Sequence, residues 1–201
     1  MNLAISTLQT HVAALQTSNA LVQALIPFVS VDPNPINDLT GPHILFTGAN
    51  VHVRSGAGST DEGVGVGGTP TGLGNLIVGY NEQLPSPVPR TGSNNLIVGP
   101  FHEFSSVGGF VAGRRNTIGN MSASVSGGQI NTASGFAASV SGGGPNTASG
   151  NFASVSGGGG NTASGDLASV SGGGSNTAGG QVSTVSGGIS HSTVGFGEHV
   201  P

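Results

Sequence analysis

A repeat of 15 residues with very small side chains is the feature that most constrains how this chain of 201 residues can fold. Its clearest copy is NTASGNFASVSGGGG, from Asn146 to Gly160. Self-similarity at a fixed short period is typical of solenoid proteins. The asparagine that opens the repeat and the valine nine residues later both recur every 15 residues, as Asn116, Asn131, Asn146, Asn161 and Asn176, and as Val125, Val140, Val155, Val170 and Val185.

Each repeat contains two short alternating runs, NTASG and ASVSGG, joined by turns that contain glycine. Side chains alternate between the two faces of a strand, so Ala and Val of the second run share one face and its serines the other. In the first run, Asn and Ala lie opposite Thr and Ser. This pattern predicts a two-sided parallel β-solenoid that rises about 4.8 Å per coil. Looser copies step back by 14 residues, from Ser126 to Ala112 and from Ala112 to Val98.

The core of such a solenoid would be thin, because its inward positions are mostly Ala and Val. The chain also has 38 glycines, which are costly to order. At about 25 cal/mol per Å² of buried apolar surface, one coil cannot offset that cost alone. We therefore expect several copies of the chain to associate along a common axis.

The N-terminal segment offers a means of association. Pro27 ends a run of good helix formers in which apolar residues follow a 3-4 spacing typical of coiled coils. We predict a coiled-coil stalk over residues 1–27, and the alternative is one amphipathic helix packed on its own domain. Asn19 occupies a core position, where a polar residue can fix register and strand number. The heptad core positions are Ile5, Leu8, Val12, Leu15, Asn19, Val22 and Ile26.

Three further segments follow the stalk. Residues 28–93 are interpreted as an irregular β connector, in which HILFTGANVHVRSG predicts two short strands around a turn, and QLPSPVPRTGS predicts a surface loop. Residues 94–189 are interpreted as the repeat head, and residues 190–201 as a C-terminal capping segment. Recognition residues are expected in the non-repetitive parts, Gly56–Gly72, Gln83–Ser93 and Ser190–Pro201, although no individual binding residue can be named.

The repeat NTASGxxASVSGGxx resembles the head repeat of trimeric autotransporter adhesins, the YadA-like left-handed parallel β-roll. ASGFAASVSGG (Ala133–Gly143) and ASGDLASVSGG (Ala163–Gly173) follow that pattern, with Ser-Gly where the family often has Ile-Gly. The resemblance covers about residues 94–188. It implies a mainly β fold: a homotrimeric left-handed β-roll, or β-solenoid, preceded by an α-helical coiled coil.

The order of the parts differs from that family, in which the head usually precedes the stalk and a membrane-anchor barrel ends the chain. Here the coil comes first, no apolar run reaches membrane-spanning length and no signal peptide is visible. We therefore expect an extracellular fibre on a cell surface or virion, a rigid spacer and attachment surface. A phage or contractile-injection-system tail fibre tip that binds a cell-surface glycan is the alternative.

Catalytic chemistry is not expected. Asp166 is the one charged residue between Asn116 and Ser190, and the serines lack nearby His or acidic partners. A polysaccharide-cleaving solenoid would need carboxylate pairs that the sequence lacks. We predict no cofactor, no catalytic site and no metal site, although a threefold axis could gather three copies of His52 or His102 around a metal ion.

Charge and surface hydroxyls limit the binding partners. A net charge of −4 with only four basic residues argues against nucleic acid. Arg114 and Arg115 form one basic spot, which could bind an anionic glycan. The simpler interpretation is that both side chains are solvated. A ladder of small hydroxyls also suggests an ice-binding solenoid as an alternative function; it comprises Thr132 with Ser134, Thr147 with Ser149 and Thr162 with Ser164, followed by Thr177 with Gly179.

Overall fold

The computed structural model describes residues 2–201, with side chains from residue 6 onward, so Met1 and the side chain of Ile5 in the predicted stalk lie outside the described part. The chain divides into two compact units, one ending at His52 and one spanning Val53–Pro201. The described helices and strands are α1 (Asn2–Leu25), β1 (Val29–Asp32), β2 (His43–Phe46), a 3-10 turn (Val64–Val66), β3 (Leu76–Val78), β4 (Leu96–Val98), β5 (Glu103–Phe104), β6 (Phe110–Ala112), β7 (Thr117–Ile118), β8 (Ser124–Val125), β9 (Thr132–Ala133), β10 (Ser139–Val140), β11 (Thr147–Ala148), β12 (Ser154–Val155), β13 (Thr162–Ala163), β14 (Ser169–Val170), β15 (Thr177–Ala178), β16 (Thr184–Val185), β17 (Ser192–Thr193) and β18 (His199–Val200).

The first unit contains the predicted helix and a two-stranded antiparallel sheet. Helix α1 ends at Leu25, because Pro27 cannot continue it. Strand β2 pairs with β1 and not with the segment around Val51, so the predicted hairpin is wrong in its second strand. The β1 sequence VSVD contains two β-branched residues, which favour a strand, and its Val29 pairs with Phe46. The chain around Val51 is irregular.

The second unit is a parallel β-solenoid of about seven turns, as the repeat predicts. Its even-numbered strands, with β3 at one end, form a nine-stranded sheet, and its odd-numbered strands from β5 form a seven-stranded sheet. Neighbouring coils pair in the register that the repeat sets, for example Val140 opposite Val155 and Ala148 opposite Ala163. Each strand is only two or three residues long, since a glycine turn follows almost at once.

The interior follows the predicted alternation. In a representative coil, Asn146, Ala148, Ala153 and Val155 are at most 1% exposed, while Ser149 faces water. The coils nearest the N-terminus hold larger apolar groups, including Ile97, Phe104, Val107, Val111 and Ile118. The core is therefore built from larger side chains between Ile97 and Ile118 and from Ala and Val along the repeats.

A ladder of buried asparagines runs the length of the repeats. In Asn146, the side-chain nitrogen donates to the carbonyl of Gly142 in its own coil (2.9 Å) and to that of Gly158 in the next (3.1 Å). Its side-chain oxygen accepts the backbone N–H of Asn161 at 2.9 Å. The same set recurs at Asn131, Asn161 and Asn176. Each asparagine is thus hydrogen-bonded to two glycine turns and to the backbone of the following coil.

One corner of the solenoid carries apolar residues on its outside, and we call it the apolar corner. Phe152, Leu167 and Val182 stand one above another there at φ of 56°, 60° and 59°, with 54%, 54% and 43% of their surface exposed. Phe136 meets Phe152 edge to face, with ring centroids 5.2 Å apart. A positive φ is costly for large side chains and most of all for Val, so these residues occupy a strained backbone on an exposed edge.

The ladder extends past residues 94–189 at both ends. Strand β3 pairs with β4 in register, Leu76 opposite Leu96, so the two LIV segments are successive rungs. The proline-rich excursion between them contains no strand, which confirms the predicted loop. At the other end, β17 and β18 continue both sheets through the predicted capping segment.

Candidate functional site

The loop that precedes β3 is held against the solenoid by the side chain of Asn94, which lies two residues before β4. Its side-chain oxygen accepts the backbone N–H of Ser55 at 2.9 Å. Its side-chain nitrogen donates to the hydroxyl of Ser55 (3.2 Å), the carbonyl of Thr60 (3.1 Å) and a carboxylate oxygen of Glu62 (3.3 Å). One amide therefore fixes three points of a loop whose sequence shows no regular pattern.

Glu62 holds the other end of this loop by hydrogen bonds to Thr71. Its carboxylate accepts the backbone N–H of Thr71 at 2.6 Å and the Thr71 hydroxyl at 3.1 Å. Partial burial raises the pKa of Glu62, but hydrogen bonds from Ser55, Thr71 and Ser93 outweigh it and hold the pKa below its usual value. The carboxylate is charged at neutral pH and occupied by the loop itself.

This loop and Asn94 line an open cavity of about 540 Å³, which we call the loop cavity. It falls within the predicted recognition segment Gly56–Gly72 and extends to the residues just before it. Its lining residues are Val53, Arg54, Ser55, Gly56, Gly58, Ser59, Thr60 and Asn94.

The excursion Gln83–Ser93 forms a second and smaller cleft, of about 170 Å³. Leu84 and Val88 of the excursion face Phe101 and Ile130 of the coils across it, and Arg115 also lines it. The neighbouring Arg114 instead lies over the Phe101 ring, 5.2 Å from its centroid, in a cation–π contact. The two arginines of the predicted basic spot therefore have different surroundings.

The structure contradicts a shared metal site at His102. This side chain is fully buried and takes the place of an asparagine in the ladder. Its Nδ1 accepts the backbone N–H of Asn116 at 3.2 Å, so the proton sits on Nε2, which donates to the carbonyl of Val98 at 3.0 Å. Both ring nitrogens are thus used inside the solenoid. His52, the other predicted candidate, is exposed in the first unit.

The environment of His102 opposes its protonation. Burial lowers the pKa of the imidazole below its usual value, hydrogen bonds with Val98, Asn116 and Gly113 act in the other direction, and the charge of Arg90 lowers it further. The Arg90 Nε donates to the carbonyl of His102 at 3.1 Å, so this guanidinium also ties the excursion to the first full coil.

The two flat faces of the solenoid present hydroxyl groups in register. On one face Thr132, Thr147, Thr162 and Thr177 are aligned by strand pairing, with exposed serines beside the first three. On the other face the serines of the ASVSG runs align, and the hydroxyl of Ser154 donates to that of Ser169 at 3.2 Å. The predicted hydroxyl ladder is present, and a second ladder, which was not predicted, lies on the opposite face.

In the coil that contains Glu198, a side chain accepts two backbone N–H groups whose equivalents in the interior bond to the following coil. In the interior, Ala163 accepts the backbone N–H groups of Ser149 and Gly150. In the last coil, one carboxylate oxygen of Glu198 accepts the equivalent N–H groups of Val194 and Gly195, at 2.8 and 2.9 Å. These two bonds lower the pKa of Glu198.

Three roles were missed from the sequence: the anchoring by Asn94, the cap by Glu198 and the bonding of the asparagine ladder. The ladder had a usable signal, because an asparagine that faces inward on every coil must bond to backbone. The Glu198 cap and the Asn94 anchor each depend on a single side chain outside the repeat, and no pattern distinguishes such a residue from a solvated one.

Comparison of the chain with known protein families, with curated proteins and with solved structures gives no match. The resemblance to adhesin heads therefore rests on the repeat motif alone. Among the described residues, no group of three or more His, Asp or Glu is placed to hold a metal ion. No described helix is both long and apolar enough to cross a lipid bilayer.

Proposed function

We propose that this chain is a non-enzymatic fibre protein in which three copies associate through α1 and the solenoid serves as rigid spacer and attachment surface. The observation that carries the proposal is the exposure of the heptad core positions. Leu8, Leu15 and Val22 are 63%, 69% and 56% exposed, and every described side chain of α1 faces solvent. A helix owes most of its stability to packing of an apolar face, and the apolar side chains that the structure describes on this helix are exposed.

The apolar corner supports association independently. Phe152, Leu167 and Val182 are held at a strained positive φ, where Gly or Asn would fit with less strain. Large apolar side chains in that position gain nothing in water, but they would bury surface if the corners of several chains met. The corner carries little charge, because Asp166, next to Leu167 in sequence, is the one charged residue between Asn116 and Ser190, so identical faces can approach one another.

The absence of catalysis in this proposal rests on composition. Charged residues make up 6% of the chain, and general acid–base or nucleophilic chemistry needs titratable groups that converge. A fibre of this kind is expected outside the cell, on a cell surface or a virion. A tail fibre tip on a phage or a contractile injection system is the variant in which the attachment surface binds a cell-surface glycan.

The mass of the native assembly tests the proposal. We expect three times the chain mass of 19.4 kDa by native mass spectrometry. Leu15→Asp places a charge in the heptad core and should release single chains, whereas Ala14→Asp, on the outward side of the same turn, should leave the assembly intact. A wild-type chain that stays single at micromolar concentration contradicts the proposal.

Ice binding is the second candidate, and the register of the hydroxyls favours it. The aligned threonines repeat at the coil spacing of about 4.8 Å along a flat face. Thermal hysteresis of the purified protein tests this candidate, and Thr147→Tyr in the middle of the face should reduce the effect. The opposite-face substitution Ser154→Tyr is the matched control, and an absence of hysteresis at millimolar concentration excludes the candidate.

A further inference from the structure

The loop cavity has the size of a small-molecule site and a wall that is already formed. Its volume of about 540 Å³ lies within the range of about 300–1,000 Å³ typical of ligand pockets. Asn94 holds Ser55 and Thr60 by three hydrogen bonds, so a ligand would not need to order the loop. A preformed wall reduces the entropic cost of binding.

Arg54 and two glycine N–H groups supply unused hydrogen-bond donors to the lining. Arg54 makes no ion pair or hydrogen bond with the described residues, so its guanidinium is available. The backbone N–H groups of Gly56 and Gly58 donate no bond within the described chain. These two glycines have φ of 88° and 91°, and their Cα atoms face open space, which lets a ligand approach the backbone closely.

The lining also limits what the ligand can be. Val53 is its one sizeable apolar side chain, so a flat aromatic ligand would find little surface to pack on. No carboxylate belongs to the lining, but Asp61 lies next to it and accepts the hydroxyl of Ser59 at 2.8 Å. That hydrogen bond and the N–H of Gly63 lower the pKa of Asp61, which is charged at neutral pH. Glu62, which accepts from the lining residue Asn94 at 3.3 Å, adds a second negative charge beside the cavity. Because Coulomb repulsion from these two carboxylates is twice as large for a dianion such as phosphate as for a single carboxylate, a monoanion is the favoured partner of Arg54.

We propose that the loop cavity binds a saccharide that carries one carboxylate, as a uronic or sialic acid does. The carboxylate would pair with the guanidinium of Arg54, whose geometry suits a bidentate contact. The sugar hydroxyls would bond to the hydroxyl of Thr60 and the free N–H groups of the glycines. The role of this site in attachment rests on the proposed function, and in a trimer three such cavities would bind a polymer with avidity.

The test uses the full chain and soluble monosaccharides, so that it does not depend on the oligomeric state. Isotope-labelled protein is titrated with glucuronic acid, N-acetylneuraminic acid, glucose and inorganic phosphate, each up to about 10 mM, a range that detects the millimolar affinity expected of one sugar. At least one acid should shift the amide signals of Gly56 and Gly58 and bind at least about tenfold more tightly than glucose or phosphate.

Arg54→Gln should weaken that binding by about tenfold or more, because it removes the charge and keeps a polar side chain. Arg114→Gln is the matched control, since Arg114 lies over Phe101 outside the cavity, and it should leave the affinity unchanged. The inference is overturned if neither acid shifts those signals, if glucose or phosphate binds as well, or if Arg54→Gln has no effect. Binding by a single-chain protein would support the inference while the trimer proposal fails.

Discussion

In the interior coils, from Asn116 to Gly188, backbone groups of each coil are hydrogen-bonded to the next coil. In the coil that contains Glu198, side chains supply some of these bonds instead. An interior asparagine bonds to two glycine carbonyls in successive coils and accepts the N–H of the next asparagine. In the last coil His191 takes the asparagine position and the carboxylate of Glu198 replaces a backbone carbonyl.

The difference also appears in the core. The interior coils bury alanines at two positions, whereas at the junction with the last coil Ser183 and Thr193 are buried in these positions and their hydroxyls bond at 2.8 Å. Repeats satisfy polar groups through repetition, so every departure from the repeat requires a compensating side chain.

The largest effect is expected in the interior ladder. Asn146→Ala removes three hydrogen bonds and leaves the buried N–H of Asn161 without its acceptor, whereas the carbonyl of Gly158 keeps the N–H of Gly144. Each hydrogen bond contributes about 1 kcal/mol and an unpaired buried group costs about 1–3 kcal/mol, so the free energy of unfolding should fall by about 4 kcal/mol. Urea denaturation followed by circular dichroism measures the change.

Ser156→Ala is the matched control for this substitution, because it removes an exposed hydroxyl from the same coil and should change the free energy by less than about 0.5 kcal/mol. A loss of less than about 1 kcal/mol for Asn146→Ala would show that the backbone ladder holds the coils without the asparagines.

A second substitution tests the glycine turns to which the asparagine side chains are hydrogen-bonded. Gly143 has φ of 73°, and a Cβ there would lie against the carbonyl oxygen of Gly158. Gly143→Ala should therefore cost about 3 kcal/mol, from the left-handed conformation and from displacement of the next coil. Thermal and urea unfolding measure the change in stability.

The adjacent glycine supplies the control. A Cβ on Gly142 would meet nothing within 4 Å, and its φ is not positive. Gly142→Ala should be neutral or stabilise by up to about 1 kcal/mol, since it restricts the unfolded chain. Equal effects of the two substitutions would mean that coil spacing is not set by glycine contacts.

The fold followed from the sequence further than the site did. Periodicity predicted the two strands per repeat, and alternation predicted that Asn131, Ala133, Ala138 and Val140 lie inside, because both are properties of every coil. The pairing of β1 with β2 was not predicted, since local alternation cannot show which of several strands meet. The loop cavity depends on contacts between residues 32 to 39 positions apart, which no local pattern contains.

A third prediction concerns the start of the ladder, where His102 replaces asparagine. The pKa of His102 is lowered in the folded chain, so between that value and about 6.5 the unfolded chain binds more protons and stability rises with pH. The contribution is complete above about pH 6.5 and is lost as pH falls below it. Unfolding in urea from about pH 5 to about pH 8 should show this slope.

His102→Asn restores the ladder residue of the interior coils and should flatten that part of the slope, at a cost of about 1 kcal/mol at high pH for the smaller side chain. Replacing the exposed His52 by Asn is the control, which should keep the slope. If His102→Asn retains the full pH dependence, then the buried imidazole is not its source.

The smallest effect is expected at the cap. Glu198→Ala removes the acceptor of the Val194 and Gly195 N–H groups, so these amides should exchange with solvent faster while the interior keeps its protection. The pKa of Glu198 is lowered by these bonds, so in the wild type the same protection should be present above about pH 4.5 and lost as pH falls below it. Hydrogen exchange followed residue by residue measures both effects.

Glu198→Gln separates hydrogen bonding from charge, because its amide oxygen can accept the same two N–H groups and does not titrate over this range. It should retain most of the protection and lose its dependence on pH. Ser149 and Gly150, whose N–H groups bond to the carbonyl of Ala163, are the interior reference and should not change in either variant. If Val194 and Gly195 exchange no faster in Glu198→Ala, then the last coil does not depend on a side-chain acceptor, and its contrast with the interior coils lies only in its core.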